Sequence, residues 1–161
     1  MRSSWRTAWQ GQDIVIYRNE AEVDRLHAPD IDRVVLVHRG SGDSPGDLVQ
    51  AVVEIGDSCL IFPPDTGFAG RVNFERQAFW AEKACVFWIN ESRAPLPLRL
   101  RRGRWFLGLT HPVFTRVPRA DIAALIERWP VQGPQTWEQR KWRRIEQSRP
   151  FANSEDTRLR A

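Results

Sequence analysis

Three groups of side chains in this sequence are of the types that chemistry requires. The segment Asp65-Thr66-Gly67-Phe68-Ala69-Gly70-Arg71 precedes a helical pattern, so its backbone N–H groups and the Arg71 guanidinium would cradle an anion at a helix start. Asp65, Thr66, Gly67 and Arg71 are therefore a candidate small-ligand loop. No Lys-Ser or Lys-Thr follows Gly70, which excludes a nucleotide phosphate loop. The second group is built on His38. With the Cys59 thiol as nucleophile and Asp43 as orienting carboxylate, it has the residue types of a nucleophile–base pair, but the spacing does not demand the contact. Arginine is the third: it outnumbers lysine 22 to 2.

Charge is divided along the chain. Residues 1–91 carry nine basic and 14 acidic side chains, a net of −5, whereas residues 92–161 carry 15 basic and six acidic, a net of +9. Between Ser92 and Ala120 there are seven arginines and no carboxylate. Guanidinium forks pair with carboxylates and phosphates bidentately and stack on aromatic rings, of which tryptophan alone supplies eight here. Arg99 and Arg101 would share one face of a strand, with Arg104 close by in a hairpin. Arg140, Arg143 and Arg144 are related by i, i+3, i+4 on a C-terminal helix. These six arginines are the candidate anion-binding surface. The split also has an intramolecular reading, in which the acidic half neutralises the basic half within one fold.

The length of 161 residues fits one domain with its own core. Cys59 and Cys85 lie in apolar runs with no His or second Cys at metal-ligand spacing, which predicts free buried thiols, no metal centre and no cofactor. The N-terminal residues lack the apolar stretch of a signal peptide. The longest apolar run, Ala84 to Ile89, is far shorter than the ~20 residues that cross a bilayer, so a cytoplasmic protein is expected. Asp65-Thr66-Gly67 also matches the tripeptide that carries the catalytic carboxylate of aspartic proteases. Pro63-Pro64 stand where apolar strand residues belong, however, and Phe68 is bulky, so the tripeptide reads as a turn.

Period-2 and β-branched runs predict short strands at 13–18, 22–26, 32–38, 48–55 and 59–62, joined by tight turns and hence antiparallel. Phe74, Ala78, Ala81, Cys85 and Trp88 follow at helical spacing after an Asn73 cap, although 85–89 also suits a strand. A hairpin is expected about Arg102-Gly103-Arg104. Between Pro118 and Pro130, Ile122, Leu125, Ile126 and Trp129 mark a helix. Thr136 and Gln139 have the spacing of a capping box for a basic helix over 136–149, whose large apolar residues are Trp137, Trp142 and Ile145. The expected fold is α+β: an antiparallel β-meander sheet or partly closed barrel covered by two to three helices. It would form a single domain over 1–149, with 1–10 poorly ordered and 150–161 a disordered tail. The expected function is a non-enzymatic binding or adaptor module whose Arg-rich C-terminal half engages an anionic partner: an acidic protein, nucleic acid or anionic lipid. The alternative is a small hydrolase or transferase with its site around the Asp65–Arg71 loop and His38.

Overall fold

A computed structural model describes residues 5–62, 84–96, 105–106, 109–110 and 114–148. The candidate ligand loop 65–71, the helix expected from Asn73, Arg99, Arg101 and Arg104, and the tail 150–161 lie outside these residues.

Strands β1 (Trp5–Gln10), β2 (Asp13–Arg18) and β3 (Ala21–His27) form an antiparallel meander. Asn19 and Glu20, between β2 and β3, both take positive φ, 50° and 66°, the hand of turn that matches the twist of a two-residue hairpin. A strand at Trp5–Gln10 replaces the poor order expected for the N-terminal residues. Its cause is the position of two tryptophans: Trp5 and Trp9 lie four residues apart on one face of the strand and pack on the core.

The second sheet contains β4 (Ile31–His38), β5 (Leu48–Ile55), β6 (Ser58–Phe62) and β7 (Val86–Asn90). After the short pair β8 (Trp105–Phe106) and β9 (Leu109–Thr110), β10 (Thr115–Pro118) completes it in the order β10-β6-β5-β4-β7. The sheets stay separate and neither closes into a barrel. The larger one is mixed, because β7 runs parallel to β4, with Val34 opposite Val86 and His38 opposite Asn90. Residues 86–90 are thus strand and not the end of a helix: Val86 and Ile89 are β-branched, and the β4 edge offers them a ladder. The strand 98–101 and the turn 102–104 of the expected hairpin lie outside the described residues; within them, β8 pairs with β9.

Two helices are described, α1 (Arg119–Glu127) and α2 (Trp137–Ser148). The large sheet is covered on both faces, which accounts for the near-continuous apolar run of β4. Val34, Leu36, Val53, Leu60 and Trp88 face the three-stranded sheet and the Trp137 end of α2. Val35, Val37, Val52, Cys59 and Ile61 face α1, where Ile122 and Ile126 are buried as the helical spacing predicts. Because Ile126 is 1 % exposed, Ile126→Ala should lower stability by about 2–5 kcal/mol in urea denaturation. A change well under ~1 kcal/mol would mean that α1 does not close this face. Both cysteines are buried and neither forms a disulfide. Among the described residues no helix is long and apolar enough to cross a membrane.

Candidate anion-binding site

The parallel strands β4 and β7 end side by side, and a cavity of about 210 Å³ opens beyond their carboxyl ends. His38, the last residue of β4, and Asn90, the last of β7, line it together with Gly40, Arg93, Gln132 and Arg140. Each is held by local backbone chemistry. Asn90 caps the 3-10 turn Glu91–Arg93 by accepting from Ser92 N at 3.0 Å, and its Nδ2 donates to Gly40 O at 2.9 Å. Residues 131–135 run along the free edge of β7: Gln132 and Trp88 exchange both backbone hydrogen bonds, and Gln135 N donates to Val86 O. The Trp88 indole N–H donates to Gln135 O at 3.0 Å, tying the same segment to the sheet. The capping box then starts α2, with Gln139 Oε1 accepting from Thr136 N at 2.9 Å and Thr136 Oγ1 from Gln139 N at 3.3 Å.

One turn into α2, Arg140 points back into the domain. It is only 7 % exposed. Its guanidinium lies 4.9 Å from the Trp88 ring centre, and Nη2 donates to His38 Nε2 at 3.2 Å. Nη1 is buried and has no hydrogen-bond partner among the described residues. Burial, followed by repulsion from Arg144, pulls the Arg140 pKa down. Asp43 acts on Arg140 only through space; its carboxylate is taken by Arg144. Gly42 makes the close approach possible: at φ +75°, a Cβ there would lie 2.7 Å from His38 Cγ and 3.0 Å from Arg140 Nη1.

A guanidinium only donates and a carbonyl only accepts, so the contacts of His38 fix its tautomer. Nδ1–H donates to Arg39 O at 3.3 Å, and Nε2 is left to accept from Arg140. The ring is neutral. Burial lowers its pKa most; the hydrogen bond to the Arg39 carbonyl opposes this, the Arg140 charge lowers it again, and the Gly40 backbone and Asp47 add smaller upward effects, leaving a net lowering. The folded value thus lies below that of the unfolded chain, so the stability tied to the neutral ring is complete above 6.5 and is lost as pH falls through the folded value. In phosphate-free buffers, the urea midpoint should fall as pH drops from about 7 toward 5, and His38→Gln should flatten that part of the curve. The lowered carboxylates of Asp13, Glu20, Glu22 and Asp43 act below their ordinary values of 3.8 and 4.5, outside this window. Equal slopes for the variant and the natural protein would contradict the neutral assignment.

The other expected groupings do not assemble. Cys59 pairs with Glu54 and Glu54 with Arg33, which places the thiol at the Ile31 end of β4, away from His38. Burial and the nearby Glu54 push that thiol up to about 12, so it stays protonated at neutral pH. On α2, Arg140, Arg143 and Arg144 do not form one exposed face: Arg140 is buried, Arg144 is half-buried against Asp43, and Arg143 is exposed. Of the tryptophans on α2, Trp137 packs against the core, whereas Trp142 is 56 % exposed.

Several arginines of the basic half are neutralised by the acidic half. Arg116 pairs with Asp24 at 2.9 Å, Arg119 with Asp32 at 2.8 Å, and Arg144 with Asp43. Arg140 stands apart, buried without a bonded carboxylate among the described residues. Among these residues there is also no cluster of three or more His, Cys, Asp or Glu placed to hold a metal ion. Comparison with known proteins finds no family model, no curated protein and no solved structure that matches this chain.

Proposed function

We propose that the protein is a non-enzymatic binding or adaptor module whose Arg-rich C-terminal half engages an anionic partner. The observation that carries this reading is the buried guanidinium of Arg140, which lines a cavity with Nη1 unpartnered. A buried cation without a counter-charge is unfavourable by several kcal/mol, on the order of the penalty for one desolvated ion. An arriving anion removes that penalty, so the free protein is prepared to bind one. The neighbouring arginines support selectivity by contrast. Arg116, Arg119 and Arg144 already hold carboxylates, whereas Arg140 bonds none among the described residues.

The experiment is to titrate the protein at low salt with a single-stranded oligonucleotide, a poly-glutamate peptide and vesicles containing phosphatidylserine. At least one should bind, more weakly as salt is raised, and Arg140→Met should weaken it. Binding of none of the three would overturn the reading.

A further inference from the structure

We infer that the cavity at the ends of β4 and β7 accepts the phosphate of a phosphomonoester. This rests on the anion-binding reading above and narrows it to one chemical class. Charge, donor geometry and size all bear on the choice.

Two cationic side chains, Arg140 inside and exposed Arg93, line the cavity, and no carboxylate does among the described lining residues. His38 adds no charge, because its Nε2 is committed to accepting from Arg140. A carboxylate would neutralise one guanidinium and leave the other, whereas a phosphomonoester, carrying about −1.5 to −2 at neutral pH, matches both.

The donors come from separate directions. Arg140 reaches in from α2, Arg93 from the 3-10 turn after β7, Asn90 from the strand end and Gln132 from the segment along the β7 edge. The Gln132 side-chain amide has no hydrogen-bond partner among the described residues, and Asn90 Nδ2 uses one hydrogen on Gly40 O. A tetrahedral group with three terminal oxygens meets donors spread in this way, while the two oxygens of a carboxylate lie in one plane and suit a single fork.

At about 210 Å³ the cavity is smaller than the ~300–1,000 Å³ of sites that engulf a drug-sized molecule. It therefore takes the phosphate and leaves the rest of the ligand at the mouth. Arg140 is the anchor, and Arg93 is the group that distinguishes a dianion from a monoanion.

The full-length chain is titrated calorimetrically with inorganic phosphate, O-phosphoserine and acetate, in a chloride buffer of constant ionic strength. O-phosphoserine should bind saturably to one site, at least about tenfold tighter than acetate, a preference of one decade. Arg140→Met should weaken that binding by about 30-fold or more. Arg93→Gln, a change at an exposed position that leaves the fold intact, should weaken O-phosphoserine while leaving acetate nearly unchanged. Acetate binding as tightly as O-phosphoserine would overturn the class. Inorganic phosphate binding with O-phosphoserine excluded would overturn the ester in favour of a free-ion site. If none of the small anions binds while one of the polyanionic probes still does, the phosphomonoester inference falls and the wider anion-binding reading stands. If neither kind binds, both fall.

Discussion

Replacing Arg140 with methionine should weaken anion binding strongly and leave the protein at least as stable as the natural chain. Methionine has similar length and no charge, so it can lie along Trp88 as the guanidinium does. Two favourable contacts are lost: the charge-assisted bond to His38, worth about 1.5–3 kcal/mol, and the cation–π contact, worth up to about 2 kcal/mol when desolvated. Against them stands the penalty of a buried cation whose Nη1 has no partner, several kcal/mol in the absence of ligand. The expected net change runs from zero to about 2 kcal/mol of added stability. Binding should meanwhile weaken by about 30-fold or more, the equivalent of the roughly 2 kcal/mol or more that truncating a desolvated charged contact removes. Urea denaturation and calorimetry on the same preparation check both halves. A destabilisation above about 2 kcal/mol would make Arg140 a structural group that the fold needs for itself.

The opposite behaviour is expected at Arg33. Its guanidinium donates through both Nε and Nη2 to Glu54, whose carboxylate is 3 % exposed at the directly opposed position on β5. Arg33→Met would leave that carboxylate, among the described residues, with Arg119 alone, whose Nε is 3.9 Å away. Breaking a buried pair from one side typically costs about 3–5 kcal/mol, and the residual Arg119 contact sets the expectation near the lower end, about 3 kcal/mol. The double variant Arg33→Met with Glu54→Leu should recover most of the loss, because the stranded charge is gone. Arg116→Ala, which removes a partly exposed pair with Asp24, should cost under about 1 kcal/mol. A value for Arg33→Met within about 1 kcal/mol of the natural protein would mean that Glu54 is not held by this pair.

The two arginines show why the charge split was only half legible from sequence. Net charge by halves states that counter-ions exist but not where the fold takes them. Arg116, Arg119 and Arg144 meet acids of the first half over long sequence separations, as the intramolecular reading anticipated. No local pattern identified Arg140 as the arginine turned inward. A signal did exist in α2: Trp137 and Trp142 are five residues apart, about 140° around a helix of 3.6 residues per turn, so both cannot dock. Once Trp137 faces the core, i+3 places Arg140 beside it and leaves Trp142 in solvent.

Strand periodicity was more informative, since the two-sided burial of β4 and the amphipathic α1 follow directly from residue spacing. The parallel partner of β4 was not legible, because the run from Val86 to Ile89 satisfies strand and helix templates alike and tertiary pairing decides between them. The cavity depends on that pairing. It brings His38 and Asn90 together, 52 residues apart in sequence, at one edge of the sheet.

The central claim is that Arg140 is kept buried and unpaired for an anion, and side-chain nitrogen NMR of the arginine guanidinium groups tests it most directly. During titration with O-phosphoserine at constant ionic strength, the Arg140 resonances should shift saturably to a single end point. Those of Arg116 and Arg119, already held by Asp24 and Asp32, should stay in place. Arg140 resonances that remain unmoved, or that drift in step with Arg116 and Arg119 without saturating, would contradict the account.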